Sequence, residues 1–197
     1  TVASASLTYP GIIAAARQQR LRHCALEMDN EGIRPDSFEA LCHQQCPRVL
    51  YCAPNQNNPT TACMSLERRQ ALLAIAARHG VWVLEDDIHL INATERPPNL
   101  VELDPERVLY ISGCSKVMAG GLRVGILRGP ASVTGRLGDS LRSHRWMAPP
   151  LNAAIACRWI TSGRADELMR WQREEIGHRQ TLAASFLTDH TYQAQPY

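Results

Sequence analysis

The chain has 197 residues, 45% of them hydrophobic and 20% charged, and a formal net charge of +2. That is one domain's worth of sequence with enough apolar residues for a real core, and too little charge for a nucleic-acid surface. No apolar stretch approaches the roughly 20 residues of a membrane span and no signal peptide precedes the first residues, so a cytoplasmic protein with no membrane partner is expected.

Val2–Leu7 reads as a short strand of small residues, and Tyr9-Pro-Gly opens a helix from Ile12 to about Gln19 with Pro10 in its first turn. A strand follows around Arg22–Glu27, then a turn at Asp29-Asn-Glu-Gly, then a helix from Pro35 with Phe38, Leu41 and Cys42 on one face. Val49–Ala53 is an apolar strand. It runs into Pro54-Asn-Gln-Asn-Asn-Pro-Thr-Thr, a polar loop with three asparagines. Ser65 is placed to cap a helix reaching His79, with Leu72, Leu73, Ile75 and Ala76 as its buried stripe and Gly80 as its stop. Val81–Leu84 lacks polar alternation, which suits a strand buried on both faces, and it ends in Glu85-Asp-Asp. An irregular segment with Pro97-Pro98 leads to the strand Val108–Ser112, and Arg123–Leu127 is a further short strand. After Pro130 the pattern is helical to about Leu187, broken at Gly163.

Alternating strands and helices predict an α/β fold, a three-layer α/β/α sandwich around a mostly parallel sheet. Ligands in such sheets gather at the carboxyl ends of the strands. Tyr9, Asn55–Thr60, Asp86-Asp87 and Lys116 all fall there. The seven cysteines are odd in number and irregularly spaced, and read as reduced, mostly buried thiols. Cys42-His43 with Cys46 lacks a second ligand pair at zinc spacing, so no metal is expected.

The most informative stretch is Ile111–Arg123. It holds Lys116, the only lysine; every other basic residue among the 21 is arginine. A position where a guanidinium will not serve is one that needs a primary amine able to lose its proton and attack an aldehyde. Ser112, Ser115 and Arg123 beside it make a phosphate cradle. An amine next to a phosphate site is what pyridoxal phosphate requires. Asp86 or Asp87 would keep the pyridine nitrogen protonated, Asn58 would reach the phenolic oxygen, and Tyr9 would stack on the ring. Adjacent strand residues point opposite ways, so one of the two aspartates faces the ring.

Asn58-Pro59-Thr60, Met64-Ser-Leu-Glu-Arg-Arg-Gln-Ala-Leu-Leu, Glu85-Asp-Asp, Ser115-Lys116 and Gly121-Leu-Arg-Val-Gly together resemble class I/II aminotransferases of fold type I, along essentially the whole chain. With Asn152–Gly163 and Arg179-Gln-Thr-Leu-Ala, the chain most resembles the aminotransferase-like domain of MocR-type regulators, a branch of the GntR transcription regulators. The resemblance implies that Lys116 forms the internal aldimine, that Asp86 is the pyridine-nitrogen aspartate, and that Asn58, Tyr9 and Arg123 take the phenolic-oxygen, stacking and phosphate roles. His89 stands where the family's tyrosine contacts the phenolic oxygen, Thr61 where a glycine follows Asn-Pro-Thr, Gly113 where a phosphate-binding serine is common, and Gly120 where a proline is usual. These departures leave cofactor binding intact and bear on transamination.

The resemblance further implies that residues 1–197 are the central part of a cofactor-binding large domain. The phosphate loop and a winged helix-turn-helix would lie upstream, and the small domain downstream. The function expected is a sensor of a small amino compound or amino acid, touching DNA only through that upstream domain and pairing as a homodimer. An aminotransferase is the alternative, and a degenerate dimerisation domain that has lost the cofactor is a third reading.

Overall fold

The computed structural model describes residues 1–89 and 96–187. Part of the irregular segment expected after Asp87, and the last residues of the chain, lie outside them. The chain forms two compact units. The first comprises Thr1–Asp87, Pro97–Ser112 and Leu127–Ser140; the second comprises Ile88–Arg96, Gly113–Ile126 and Leu141–Tyr197.

In chain order the elements begin β1 (Val2–Ala5), α1 (Pro10–Gln18), β2 (His23–Leu26), β3 (Met28–Asp29), β4 (Gly32–Ile33), α2 (Pro35–Gln45) and β5 (Val49–Cys52). They continue with α3 (Leu66–His79), β6 (Trp82–Asp86), α4 (Leu100–Leu103) and β7 (Val108–Gly113). Then come α5 (Cys114–Val117), β8 (Gly125–Arg128), α6 (Ala131–Arg145), α7 (Pro150–Thr161) and α8 (Arg164–Phe186). The sheet runs β2-β1-β5-β6-β7-β8, and the pairs from β2 to β7 are all parallel. The α/β class with a mostly parallel sheet is therefore as the sequence predicts.

This strand order positions the site. The chain moves outward one way from β1 to β2, and the other way from β5 to β6 to β7. Right-handed crossovers then put α1 on one face and α2 with α3 on the other. The direction reverses between β1 and β5, and the crevice at their carboxyl ends is the topological switch point where open α/β sheets bind ligands. Tyr9 follows β1, and the asparagine-rich loop follows β5.

Local chemistry explains the helices. Pro10 and Pro35 start α1 and α2, where a missing N–H costs nothing. The Ser65 hydroxyl accepts the Arg68 N–H at 3.2 Å and caps α3, and Gly80 at φ 65° stops it. Phe38, Leu41 and Cys42 from α2 and Leu72, Leu73, Ile75 and Ala76 from α3 are buried in one core with Leu50, Val81, Val83 and Val108. Asp29–Gly32 does turn, but it closes a small antiparallel hairpin, β3 with β4, that the sequence reading did not foresee.

Two expectations are corrected. β6 is not buried on both faces: Val83 and Glu85 are buried, whereas Trp82, Leu84 and Asp86 are only partly so. Arg123 does not begin a strand. It sits in a left-handed turn at φ 53° after a 3-10 turn at Gly120–Leu122, and β8 starts two residues later.

The second unit has a smaller core of Cys114, Leu122 and Ala156, against which Met118, Val124, Ile155 and Trp159 pack. The Asn152 amide donates to the Leu122 carbonyl at 2.8 Å and fixes α7 to the turn before Arg123. Gly163 at φ 79° separates α7 from α8. None of the seven cysteines forms a disulfide. Among the described residues no helix is long and apolar enough to cross a membrane.

Candidate active site

In the first unit, β6 delivers two adjacent carboxylates into different surroundings. Asp86, the last residue of the strand, is partly buried and accepts a hydrogen bond from the Tyr51 hydroxyl at 2.6 Å. Burial and the neighbouring Asp86 carboxylate both push the Tyr51 phenol far above its ordinary value, so it stays a donor. Asp87 is 2% exposed. Its carboxylate accepts from the Asn55 amide at 2.9 Å and from the Tyr110 hydroxyl at 2.9 Å, and Asn55 also donates to Asn99 at 3.0 Å. Asp87 is thereby tied into the interior, and Asp86 is the one left near the surface.

Tyr9 N-caps α1 and its ring is half exposed. The ring folds back over Gly11, where any β-carbon would collide with it. Asn58 is exposed and joined to Pro59 by a cis peptide. Its neighbours anchor the loop: Asn57 is buried and donates to the Leu7 carbonyl at 3.1 Å and the Thr60 hydroxyl at 2.8 Å. Thr61 holds φ 59°, a conformation suited to the glycine that the family pattern expects there. Ser112 is buried, and its hydroxyl donates to the Asp87 carbonyl at 3.2 Å.

In the second unit, Lys116 is exposed on the single turn of α5, three residues past the end of β7. Ser115, beside it, accepts from the exposed Arg123 guanidinium at 3.4 Å. A hydroxyl and a guanidinium that meet in this way form a donor set for a phosphate monoester, next to a primary amine. At Gly113 a β-carbon would come within 3.0 Å of the Ile88 side chain and the Val124 carbonyl, so a larger residue there would need those neighbours to give by a few tenths of an ångström. His89 lies partly buried in the turn after β6.

Sequence reasoning overlooked Tyr51 and Asn99 and placed Asn55 in the site loop without its partners, because these contacts join residues 32 to 44 apart. It also overlooked Arg69, which is 0% exposed. Its guanidinium donates to the carbonyls of Met64 at 3.1 Å, Pro98 at 3.1 Å and Pro54 at 3.2 Å. Arg69 thus pins both ends of the asparagine-rich loop. Its helical spacing from Leu72, Leu73 and Ala76 puts it on the buried stripe, and that was a readable signal. Glu85 is its acidic counterpart: the carboxylate accepts the N–H groups of Leu100 and Val101 at 2.9 Å each, and burial pushes its pKa up.

The aminotransferase class I and II family pattern matches residues 1–191. The HTH-type transcriptional regulators YdeF and YdfD of Bacillus subtilis (strain 168) are 29% and 33% identical over 93% and 84% of this chain. The chain spans only 40% and 35% of those two proteins. The crystal structure of LysN, an α-aminoadipate aminotransferase from Thermus thermophilus complexed with N-(5'-phosphopyridoxyl)-L-leucine, superposes with a TM-score of 0.79 at 28% identity. That match covers 86% of this chain and 46% of LysN. In the second unit, a primary amine beside a Ser–Arg donor pair suits pyridoxal phosphate, the cofactor of this family. The chain is a member of the class I and II aminotransferase family.

Proposed function

We propose that this chain is the pyridoxal-phosphate-binding, amino-compound-sensing part of a MocR/GntR-type transcription regulator. The observation that carries the reading is the likeness to two HTH-type regulators along 84% or more of the chain. Residues 1–197 then form the central part of a large domain in a longer cytoplasmic protein. DNA is contacted by a separate upstream domain, a small domain lies downstream, and two copies pair as a homodimer.

Pyridoxal phosphate supplies an aldehyde that captures amines and a ring that withdraws electrons. In this reading Lys116 would supply the primary amine that holds the cofactor. Asp86 would keep the proton on the pyridine nitrogen, and the Tyr51 hydroxyl at 2.6 Å fixes the orientation of that carboxylate. Ser115 and Arg123 take the phosphate, with Ser112 holding the backbone at Asp87. Asn58 would serve the phenolic oxygen and Tyr9 would stack on the ring, and His89 stands at the position of the family's phenolic-oxygen tyrosine.

A second reading, an aminotransferase acting on an amino acid, is favoured by the likeness to LysN. Full-length protein loaded with cofactor and given a panel of amino acids separates the two. Stoichiometric conversion to pyridoxamine phosphate and a keto acid supports the enzyme; a change in cofactor absorbance and DNA affinity without keto acid supports the sensor. The cofactor site itself is tested by borohydride reduction and peptide mapping. Label is expected at Lys116 and absent in Lys116→Arg; label confined to the terminal amine would overturn the assignment.

A further inference from the structure

The second half of α2 and the end of α3 bring together three metal-ligating side chains that the cofactor reading leaves unused. Glu39 and His43 stand one turn apart on α2, and His79 is the last residue of α3. Glu39 Oε1 lies 2.8 Å from His79 Nε2 and 3.5 Å from His43 Nε2. The three donor atoms, one per residue, all fall within 4.8 Å of one another. The two imidazoles meet edge to face with centroids 4.9 Å apart. α2 leads into β5 and α3 into β6, so the cluster sits at the amino edge of the sheet, the opposite edge from Asp86.

We propose that Glu39, His43 and His79 form a binding site for a divalent transition-metal ion of the Zn²⁺ class. Ligand bonds of about 2.0–2.1 Å put the donor atoms of a tetrahedral zinc site roughly 3.3 Å apart. The two distances to Glu39 Oε1 bracket that spacing. The His43 side chain is 68% exposed and is free to close the third edge. Arg78 pairs with Oε2, the other oxygen of Glu39, and so orients Oε1 toward the imidazoles. An ordinary ion pair between Glu39 and Arg78 has no need of two imidazoles on the remaining oxygen.

The electrostatics favour a cation. Both helices end at the site, and helix carboxyl ends carry partial negative charge. The Glu39 carboxylate faces two imidazoles and the Arg78 guanidinium, surroundings that favour its ionised form. Two imidazoles with one carboxylate suit Zn²⁺, Co²⁺ or Ni²⁺, rather than Mg²⁺ or Ca²⁺, which prefer oxygen alone. Cys42, on the same helix, does not enter the set: its side chain is buried in the core beside Phe38 and Leu72, away from the three donor atoms. The ion would tie α2 to α3, and its fourth position would stay open to water.

The test is calorimetric titration of Zn²⁺ into the chelator-treated, reduced protein, followed by Co²⁺ absorption spectra and thermal unfolding with and without Zn²⁺. One ion per chain is expected, with a raised unfolding midpoint and Co²⁺ d–d bands but no thiolate charge-transfer band. His43→Gln, an exposed change that spares the fold, and His79→Gln should each weaken binding at least about tenfold, and Cys42→Ser should leave it unchanged. Undiminished binding in the double histidine variant, loss of binding in Cys42→Ser, or no saturable uptake by the unaltered protein would each overturn the proposal. None of these outcomes depends on the cofactor site.

Discussion

In the first unit the polar side chains near the sheet's carboxyl edge are turned inward and answered by one another: Asp87 by Asn55 and Tyr110, Glu85 by two backbone N–H groups, Arg69 by three carbonyls. In the second unit Lys116 and Arg123 stand exposed, over a core of only a few residues. Apolar side chains such as Trp146, Leu151, Trp171 and Phe186 are exposed there as well. The contrast separates polar groups that build a scaffold from polar groups available as reagents. Residue type does not distinguish them. Burial does, because a buried charge survives only if fully hydrogen-bonded, whereas an exposed amine or guanidinium keeps its valences for a ligand.

The contrast breaks most visibly at Arg69. Arg69→Met keeps most of the volume but strips donors from three carbonyls, and should cost roughly 3 kcal/mol or more in urea unfolding. A loss near zero would mean that the loop from Pro54 to Met64 does not depend on the guanidinium. The two aspartates give the sharpest internal comparison. Asp87→Asn turns an N–H₂ toward either Asn55 or Tyr110 and should cost about 1–3 kcal/mol of stability. Asp86→Asn still accepts from Tyr51, should cost less than about 1 kcal/mol, and should act mainly on cofactor chemistry. Equal stability losses would erase the division between scaffold and reagent.

Thr61→Gly probes the loop itself. A β-branched residue at φ 59° is strained, and glycine relieves that strain at the expense of unfolded-chain entropy. The net gain expected is about 1 kcal/mol or less, seen as a small rise in the thermal midpoint. The smallest effect is at the edge of the sheet. Burial first, and then the Arg17 charge, lower the His23 pKa below its ordinary value of 6.5. Its folded value is thus lower than its unfolded one, so the stability it contributes is full above the unfolded value and drains as pH falls through the window beneath it. Between about pH 7.5 and pH 5 the unaltered protein should lose slightly more stability than His23→Gln; parallel curves would remove His23 from the account.

Much of this was legible in sequence because it is local. Pro35, Ser65 and Gly80 mark helix ends through their own backbone chemistry, and α2 and α3 bury the apolar residues their periodicity selects. The β3–β4 hairpin was less legible, since strands of two residues leave no periodicity to read. At Arg123 the apolar run Val124–Leu127 suggested a strand two residues too early, and the positive φ could not be seen in a residue that is not glycine.

The sequence by itself determined the α/β class and the family, because strand and helix periods and short motifs are properties of neighbours along the chain. Only the tertiary structure decided which carboxylate is scaffold, that an arginine is a buried clamp, and that Glu39, His43 and His79 meet. Those facts depend on partners up to 44 residues apart, and on which groups the core withholds from water. A sequence carries no direct record of desolvation, the term that fixes what a polar side chain is able to do.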